Sequence, residues 1–392
     1  MLNSFIRCKS NARSLSEMAA TVVLILVLGF AGAPAHAQKV VKIGVLGPLT
    51  GDLAYAGQFQ LRGAQLHAAL INAQQKEIQI EIIAEDDEAK CDRSVAAARR
   101  LISRDQIHAL LGAWQSTCTL AIVPITKQAE IPQYTTSVAT PITQQGSDWI
   151  FRVNLSTDKL NNATISYAVK NLGRKRIAIL SSSEEVGKSF AATSETALKE
   201  LGLAPVAKEE YSRGDKDFSG QLGHIKAANP DALIFATGFQ EQAIIARQVR
   251  ELGMNVQLLG GDTILGNPKF VELAGKDIEG AILATVFLPS EDSPEVGAFV
   301  KGYRERFKEM PDPWAGEFYD AVGIIYQAVK ANGGVPDAKK IGEYTRSLSS
   351  PDKSYSGVLG KVYFDKTGDG SWRPVIGQVV SSNPSRWKLL NQ

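Results

Sequence analysis

The sequence predicts an α/β protein built from two similar lobes, and three observations lead to that prediction. Strand segments rich in β-branched residues alternate with amphipathic helix segments, an order that specifies parallel sheets covered by helices. This alternation runs from residue 40 to 153 and starts again at residue 159. No spacer rich in Pro, Gly or Ser separates the two sets, so we expect short connections between the lobes.

The first set begins with a buried strand at residues 40–47, a β-branched run that ends in glycine. A helix at 57–72 follows, with apolar residues at helical spacing, and a second helix at 92–104, with Asp92 at the predicted cap position. The other predicted elements are a helix at 116–129 and strands at 78–84, 107–112, 131–135 and 149–153.

The second set repeats the pattern with four helices and four strands. The predicted helices are 159–172, 190–201, 218–228 and 240–252, and the strands are 176–180, 205–211, 232–236 and 256–259. A strand at 280–286 and helices at 294–308, 314–331 and 338–348 come next. The chain is predicted to end in a hairpin, with strands at 361–364 and 374–380 around a turn at 365–370.

Length and composition set limits on the class of protein. A chain of 392 residues favours two or three domains, and 44% hydrophobic with 21% charged residues excludes a wholly disordered chain. Residues 1–37 hold three of the 43 basic and one of the 41 acidic residues, so 40 of each remain. This neutral balance argues against nucleic acid as a partner, because phosphate binding needs a clustered positive field.

The N-terminal segment has the order of a secretory signal. Basic residues precede an apolar run at 19–30, and Ala35 and Ala37 supply the small residues that a signal peptidase reads. A membrane anchor is the alternative, but it needs about 20 apolar residues, and Gly32 and Pro34 follow too soon. We therefore expect cleavage after Ala37 and a soluble mature protein outside the cytoplasm.

Cys91 and Cys118 are the two cysteines after the signal segment, an even number in an oxidising compartment. A disulfide between them would close a loop of 28 residues and stabilise the fold by about 3 kcal/mol in the chain-entropy model. Two separate buried thiols are the alternative.

The sequence contains no motif for catalysis, for a metal or for a cofactor. The G-x-S-x-G segment of serine hydrolases is missing. His67, His108 and His224 fall on separate elements without a second His or Cys at ligand spacing. Capping and solvation explain the acidic cluster at 85–88. We therefore predict that the protein is not an enzyme and holds no cofactor.

Two segments imitate ligand-binding loops. Residues 365–370 begin like a calcium loop, but Thr367 and Ile376 stand where oxygen ligands belong, so we expect a β-turn. Residues 182–189 end in Gly-Lys-Ser like a phosphate-binding loop, but the first glycine is missing and Glu184 and Glu185 would face the phosphate. We expect no nucleotide there.

Ten segments occur in order along nearly all of residues 39–390. They are IGVLGPLTGDLAYAGQ (43–58), EDDEAKCD (85–92), LLGAWQSTCTLAI (110–122), IFRVN (150–154), RIAIL (176–180), KDFSGQL (216–222), ALIFATG (232–238), GGDTI (260–264), EFYDAVG (317–323) and GKVYFDKTGDG (360–370). Together they resemble the type I periplasmic solute-binding proteins, above all the branched-chain and hydrophobic amino-acid (Leu/Ile/Val) binding family that feeds ATP-binding-cassette (ABC) importers.

The resemblance implies two Rossmann-like lobes, the periplasmic-binding-protein-like I fold, joined by a three-segment hinge with the ligand between the lobes. The crossings fall near residues 156, 287 and 373. The N-terminal lobe would then consist of 38–156 and 288–373, and the C-terminal lobe of 157–287 and 374–392. The lobes would close around the ligand by hinge motion.

Ligands of such folds bind at the carboxyl ends of parallel strands, where helix N-termini offer free N–H groups that suit a carboxylate. After strand 107–112, Ser116 matches the family's carboxylate-binding serine, and plain helix capping is its alternative role. Trp114 and Gln115 match positions that wall the pocket, and Thr117 is a weaker candidate.

The loop after strand 131–135 is the second part of the implied site. In the family it gives a carbonyl to the ligand ammonium, and an N–H and often a hydroxyl to the carboxylate. Ser137, Val138 and Ala139 match this loop best, although the register could slip by one residue. If Ala139 holds the family's threonine position, a hydroxyl is lost, and Thr140 is the candidate replacement.

From the second lobe, Asp262 matches the acidic residue that pairs with the ligand ammonium, and a turn cap is its alternative role. Phe239 matches an aromatic residue that covers the ligand, with lobe packing as the alternative. The sequence departs from the family at two places, because Val186 replaces a tyrosine and the tyrosine of the first loop appears one position early, as Tyr55. Trp314 is a further candidate aromatic.

The resemblance thus implies a non-enzymatic binding protein of an ABC importer that takes an aliphatic or aromatic amino acid. Its partners would be a small amino acid or related carboxylate and a membrane permease, and we expect a monomer that binds no nucleic acid. One alternative keeps the fold and changes the ligand to an aromatic acid, an amide or a urea-like solute. Another is a periplasmic sensor that passes the closed state to a regulator.

Overall fold

The computed structural model describes residues 39–236, 238–289 and 294–390. The predicted signal peptide and its cleavage site lie outside these ranges. Within them, no helix is both long enough and apolar enough to cross a membrane.

Five parallel strands form the first sheet, in the order β2-β1-β3-β4-β5. Val41, Ile43 and Val45 of β1 are buried, as expected for a parallel strand covered by helices on both faces. The strands are β1 (Lys39–Gly47), β2 (Ile78–Asp86), β3 (Ala109–Leu111), β4 (Gln133–Thr135) and β5 (Ile150–Arg152).

The second sheet has seven strands in the order β14-β13-β10-β9-β8-β6-β7. Strands β6 to β10 are parallel, and β13 and β14 add an antiparallel edge. The strands are β6 (Ile177–Ser182), β7 (Ala207–Tyr211), β8 (Ala232–Ala236), β9 (Gln257–Gly260), β10 (Ile282–Thr285), β13 (Val375–Ser382) and β14 (Ser385–Leu389). The predicted α/β class with two sheets and two lobes is confirmed.

Helices lie between most successive parallel strands, and three more follow β10. They are Ala54–Gln74, Cys91–Ser103, Ser116–Ala129, Thr157–Lys170, Glu185–Glu200, Ser219–Ala227, Phe239–Glu251, Pro268–Ala274, Pro294–Phe307, Pro313–Ala331 and Ala338–Ser347. Short 3₁₀ helices cover Thr140–Gln144, Thr263–Gly266 and Gly275–Ile278. Helix 313–331 lies close against helix 54–74, since a Cβ on Gly63 would come within 2.0 Å of the carbonyl oxygen of Ala315.

The predicted capping role of Asp92 is wrong. The helix begins at Cys91, and Lys90 is the residue at the cap position. Asp92 lies in the first turn, where a negative charge is still favourable because of the helix dipole.

The predicted C-terminal hairpin is also wrong. Strand β12 (Gly360–Val362) pairs with β11 (Tyr355–Gly357) in a separate two-stranded sheet. Strand β13 instead joins the second sheet beside β10 and forms a hairpin with β14. The reason is burial, because this pairing covers Ile376 and Val379, whereas an isolated hairpin buries little apolar surface. The turn between Phe364 and Gly370 is present, and the Asp365 carboxylate accepts from the Thr367 and Asp369 amides.

The cysteine pair forms a disulfide between Cys91 and Cys118, so the alternative of two separate thiols is wrong. The bridge joins the first turns of helices 91–103 and 116–129. It therefore ties the start of helix 116–129, where Ser116 lies, to the rest of the first lobe.

Candidate functional site

The carboxyl ends of strands from both sheets line one cavity. About 70 Å³ of it is open to the centres of water molecules, well above the roughly 10–15 Å³ that a cavity needs to hold one water. This size suits a small solute. The cavity is lined by Trp114, Gln115, Ser116, Thr117, Thr136, Ser137, Val138, Glu184, Val186, Arg213, Gly238, Asp262, Thr263, Ile264 and Trp314.

Six of the nine predicted site residues line this cavity, namely Trp114, Gln115, Ser116, Ser137, Val138 and Asp262. Tyr55 and Phe239 do not line it but pack against each other beside it. Ala139 does not line the cavity either, because it is fully buried in a cluster with Val123 and Ile142. Its side chain therefore belongs to the core of the first lobe.

Ser116 begins helix 116–129, and Gln115 holds the cap position without a side-chain capping bond. The capping alternative for Ser116 is therefore wrong. Its hydroxyl accepts from the Ala139 amide at 3.4 Å. The first backbone N–H groups of a helix have no partner within the helix, so the amides of Ser116 and Thr117 stand at the cavity with the positive end of the helix dipole.

Gly112 lies between β3 and helix 116–129, at a position where the backbone requires glycine. Its φ is +136°, and a Cβ would lie 2.1 Å from the Leu46 carbonyl oxygen, so only glycine fits. The next carbonyl, that of Ala113, accepts from the hydroxyls of Thr119 and Ser137. The approach to the helix start is thus fixed from the first lobe alone.

Arg152, which is fully buried, fixes the position of the loop after β4. The Arg152 guanidinium donates to the carbonyls of Ser137 and Ala139, and the Val138 carbonyl accepts from the Thr157 amide at 2.8 Å. The Ser137 hydroxyl is hydrogen-bonded to the Trp114 carbonyl at 2.8 Å. Most polar groups of this loop thus serve to position it.

Arg152 is in turn paired with Asp369, whose carboxylate accepts from Arg152 Nε at 2.5 Å and from Lys159 Nζ at 2.7 Å. Ser156 donates a third bond to the same carboxylate, at 2.8 Å. Burial alone would raise the pKa of Asp369, but the charges of Arg152 and Lys159 outweigh burial and lower it. Sequence reasoning missed this network, although a single arginine inside the apolar segment IFRVN was a signal for it.

Asp262 comes from the second lobe, directly after β9, and is almost fully buried. Its carboxylate caps the short helix 263–266 by accepting from the Ile264 amide at 3.0 Å, and it also accepts from Gln242 Nε2 at 3.0 Å. The predicted turn-capping role is therefore correct. The residue also lines the cavity, so capping does not remove it from the site.

Four aromatic side chains form an aromatic wall beside the cavity. Trp114 and Trp314 line the cavity itself, whereas Tyr55 packs against both tryptophans and against Phe239. The rings of Tyr55 and Phe239 lie 4.0 Å apart, and Trp314 lies 5.5 Å from Trp114 and 6.1 Å from Tyr55. Phe239 follows β8 of the second sheet, whereas Tyr55 belongs to the first helix. Phe239 therefore has the packing role that was the alternative to covering the ligand. Its contact with Tyr55 joins the two lobes.

Glu184 and Arg213 are cavity residues that sequence reasoning missed. Arg213 Nε and Nη2 donate to the two Glu184 carboxylate oxygens at 2.8 and 2.5 Å. Burial alone would lower the pKa of Arg213, but Glu184 outweighs this effect and raises it. The signal for both residues was their position, because each follows the carboxyl end of a parallel strand. Val186 also lines the cavity, where the family has a tyrosine.

The Gly-Lys-Ser end of segment 182–189 does not line the cavity, although Glu184 and Val186 of the same segment do. In the Gly-Lys-Ser segment, a Cβ on Gly187 would lie 1.9 Å from the Ser182 carbonyl oxygen, so helix packing explains this glycine. Among the residues that the structure describes, no group of three or more His, Cys, Asp or Glu side chains could hold a metal ion.

The sequence matches the family model of the periplasmic binding proteins over residues 40–381. An amino acid binding protein of Pseudomonas aeruginosa is 28% identical over 352 residues, 89% of this chain and 92% of the relative. The Leu/Ile/Val-binding protein BraC3 of Rhizobium johnstonii is 27% identical over 354 residues, 89% of this chain and 94% of the relative.

A solved structure agrees with these sequence matches. The leucine binding protein LivK of Thermotoga maritima superimposes with a TM-score of 0.78 at 26% identity. The match covers 90% of this chain and 98% of that protein. With a family model that spans most of its length and a cavity at the strand ends of two α/β lobes, this chain belongs to the periplasmic binding protein family.

Proposed function

We propose that this protein is the substrate-binding component of an ABC importer and binds a small amino acid in the cavity between its two sheets. The observation that carries the proposal is the opposition of two kinds of group across one cavity. The first lobe offers the N-terminus of helix 116–129, and the second lobe offers the Asp262 carboxylate. A zwitterion matches both.

The anionic end of the ligand would face Ser116 and Thr117. Their amides and hydroxyls are hydrogen-bond donors at the positive end of a helix of 14 residues. The Val138 amide is a further donor, since it has no hydrogen-bond partner among the residues that the structure describes. A carboxylate accepts several such bonds at once, which strengthens each of them through its charge.

The cationic end would face Asp262. This carboxylate is only 6% exposed, and an ammonium group beside it would favour its ionised form. The aromatic wall of Tyr55, Trp114, Trp314 and Phe239 would exclude water from the pair. Exclusion of water strengthens the attraction between opposite charges because the local dielectric constant falls.

The transport role rests on movement of the lobes. We propose crossings near residues 156, 287 and 373, so that 38–156 with 288–373 and 157–287 with 374–392 form the two halves. The distribution of strands between the sheets supports this division. Closure would present a surface from both halves to a membrane permease, and the protein would work as a non-enzymatic monomer in the periplasm after cleavage at Ala37.

A second candidate is the binding of an aromatic acid. The four aromatic rings beside the cavity favour it, because they offer faces and edges to a flat ring. In that case the carboxylate would still face Ser116, but Asp262 would have no cation to bind.

Isothermal titration calorimetry on ligand-free protein, with the twenty amino acids, benzoate and 4-hydroxybenzoate, tests the proposal. Asp262→Asn should weaken an ammonium ligand by about 2–5 kcal/mol, the cost of removing one partner of a buried charge pair. Asp148→Asn is the matched control, because its side chain is 84% exposed and lies before β5. Binding of an aromatic acid alone, unchanged in Asp262→Asn, would favour the second candidate.

A further inference from the structure

The Glu184–Arg213 pair is a charged feature of the cavity that the proposed clamp for an amino acid does not use. Both side chains line the cavity and are about 30% exposed. Arg213 Nε and Nη2 bind Glu184, whereas Nη1 has no hydrogen-bond partner among the described residues. The pair therefore offers both donors and acceptors to a ligand.

Tyr55, which packs against Trp114 and Trp314 beside the cavity, has a hydrogen-bond donor that the proposed clamp does not use. Its hydroxyl is buried and lacks a hydrogen-bond partner within the described part of the chain. Burial raises the pKa of Tyr55, and the positive charge of Arg213 is the largest effect that opposes this rise.

Strand order places the pair at a distance from Asp262. The strands run β9-β8-β6-β7, with Asp262 after β9, Glu184 after β6 and Arg213 after β7. Neighbouring strands lie about 4.8 Å apart, so these strand ends are about 10 to 14 Å from the end of β9. In glutamine, the α-nitrogen and the side-chain amide carbon are about 5 Å apart. With a hydrogen bond of about 2.9 Å at each end, this ligand spans about 11 Å.

The charges of Glu184 and Arg213 determine which chemical group is favoured at the side-chain end of the ligand. Because Arg213 and Glu184 neutralise each other, the pair offers no net positive charge to a side-chain carboxylate, which would also lie beside the Glu184 carboxylate. An apolar side chain would take water from the pair without replacing its hydrogen bonds, which costs binding free energy. A carboxamide is uncharged and presents one acceptor for Arg213 and one donor for Glu184.

We infer that Glu184 and Arg213 form a specificity site for the distal end of the ligand and that the preferred ligand is an amino acid with a side-chain amide. This inference rests on the proposed function, since it assumes that the α-ammonium and α-carboxylate occupy the clamp described above. It adds a substrate class that the aromatic wall alone does not define.

Calorimetry with three ligands of similar length tests the inference on the wild-type protein. L-Glutamine should bind at least tenfold more tightly than L-glutamate and L-norleucine. If norleucine binds as tightly as glutamine or more tightly, the inference is wrong while the proposed amino-acid function stands. If no amino acid binds at all, both fail.

A double variant locates the preference. Glu184→Gln with Arg213→Met should weaken glutamine binding at least tenfold and strengthen norleucine binding. The matched control is Glu195→Gln with Lys208→Met, an exposed pair in the same lobe with a 2.6 Å contact, which should leave both affinities within twofold. An unchanged preference for glutamine in a folded Glu184/Arg213 variant would overturn the assignment. If thermal melting shows that this variant does not fold, the wild-type ligand series still decides.

Discussion

Replacement of Arg152 by methionine should weaken both the fold and the binding site. Arg152 is 0% exposed, and its guanidinium joins Asp369 to the carbonyls of Ser137 and Ala139. Methionine retains much of the side-chain volume but removes the charge and every donor. The change therefore isolates the polar network from the packing.

The expected loss follows from the burial of the network. Removing one partner of a buried ion pair costs about 3–5 kcal/mol, because the other charge is left without its counterion. Two buried carbonyls also lose a donor, at about 1–3 kcal/mol each, whereas Lys159 and Ser156 continue to bind Asp369. Because Lys159 remains as a counterion of Asp369, the ion-pair cost should fall well below that range. The two carbonyls then account for most of an expected loss of about 4 kcal/mol in the free energy of unfolding.

Urea unfolding followed by circular dichroism at pH 7 measures this loss, and calorimetry measures binding by the same variant. Lys340→Met is the matched control, since its pair with Glu343 is 2.8 Å long but about half exposed, and such surface pairs contribute little to stability. Ligand affinity should fall in Arg152→Met, because the loop that contains Val138 is no longer fixed.

The pH dependence provides an independent check. The pKa of Asp369 is lowered in the folded protein, because the charges of Arg152 and Lys159 outweigh burial. A lowered folded pKa stabilises the protein above the unfolded pKa of about 3.9, and this stability is lost as the pH falls through the folded value. The difference between wild type and Arg152→Met should therefore shrink below about pH 4. A loss under 1 kcal/mol at pH 7 with unchanged binding would refute the reasoning.

Two further predictions concern stability. Cys91→Ser with Cys118→Ser should lower the free energy of unfolding by about 3 kcal/mol, and chemical denaturation with an unchanged midpoint would contradict the bridge seen in the structure. Burial raises the pKa of Asp320 to about 7, although the Leu359 and Val358 amides hydrogen-bond to its carboxylate and oppose the rise. Because the folded form keeps a proton that the unfolded chain releases above about pH 4, stability should decrease by up to about 4 kcal/mol between pH 4 and 7. Asp320→Asn should flatten this decrease in the melting temperature; an equally steep pH profile would show that Asp320 is not its source.

Much of the site could be predicted from the sequence, because strand ends and helix starts are local features. The helix at Ser116–Ala129 and the strand at Ala232–Ala236 have the predicted bounds. The segments after them place Ser116 and Phe239 near the cavity. Gly112 and Asp262 likewise stand at strand ends, where parallel sheets carry their ligand sites.

Other features depended on contacts between distant parts of the chain. The partner of Arg152 is 217 residues away, and no local pattern identifies which acidic residue a buried arginine meets. The Glu184–Arg213 pair was missed for the same reason, because each residue alone resembles an ordinary exposed charge. The C-terminal hairpin was misplaced since the turn at 365–370 is local, whereas the partners of β13 are set by burial against β10.

The sequence by itself determined the alternation of strands and helices and the two-lobe class, because hydrophobic periodicity and turn residues act over short distances. It also indicated the family, through the resemblance of ten segments in order. Tertiary structure alone decided which polar groups meet in the cavity and which serve the core. Ala139 turned inward and Asp262 stayed at the cavity, although both follow strand ends. That choice depends on the free energy of burying each side chain among neighbours brought together only by the fold.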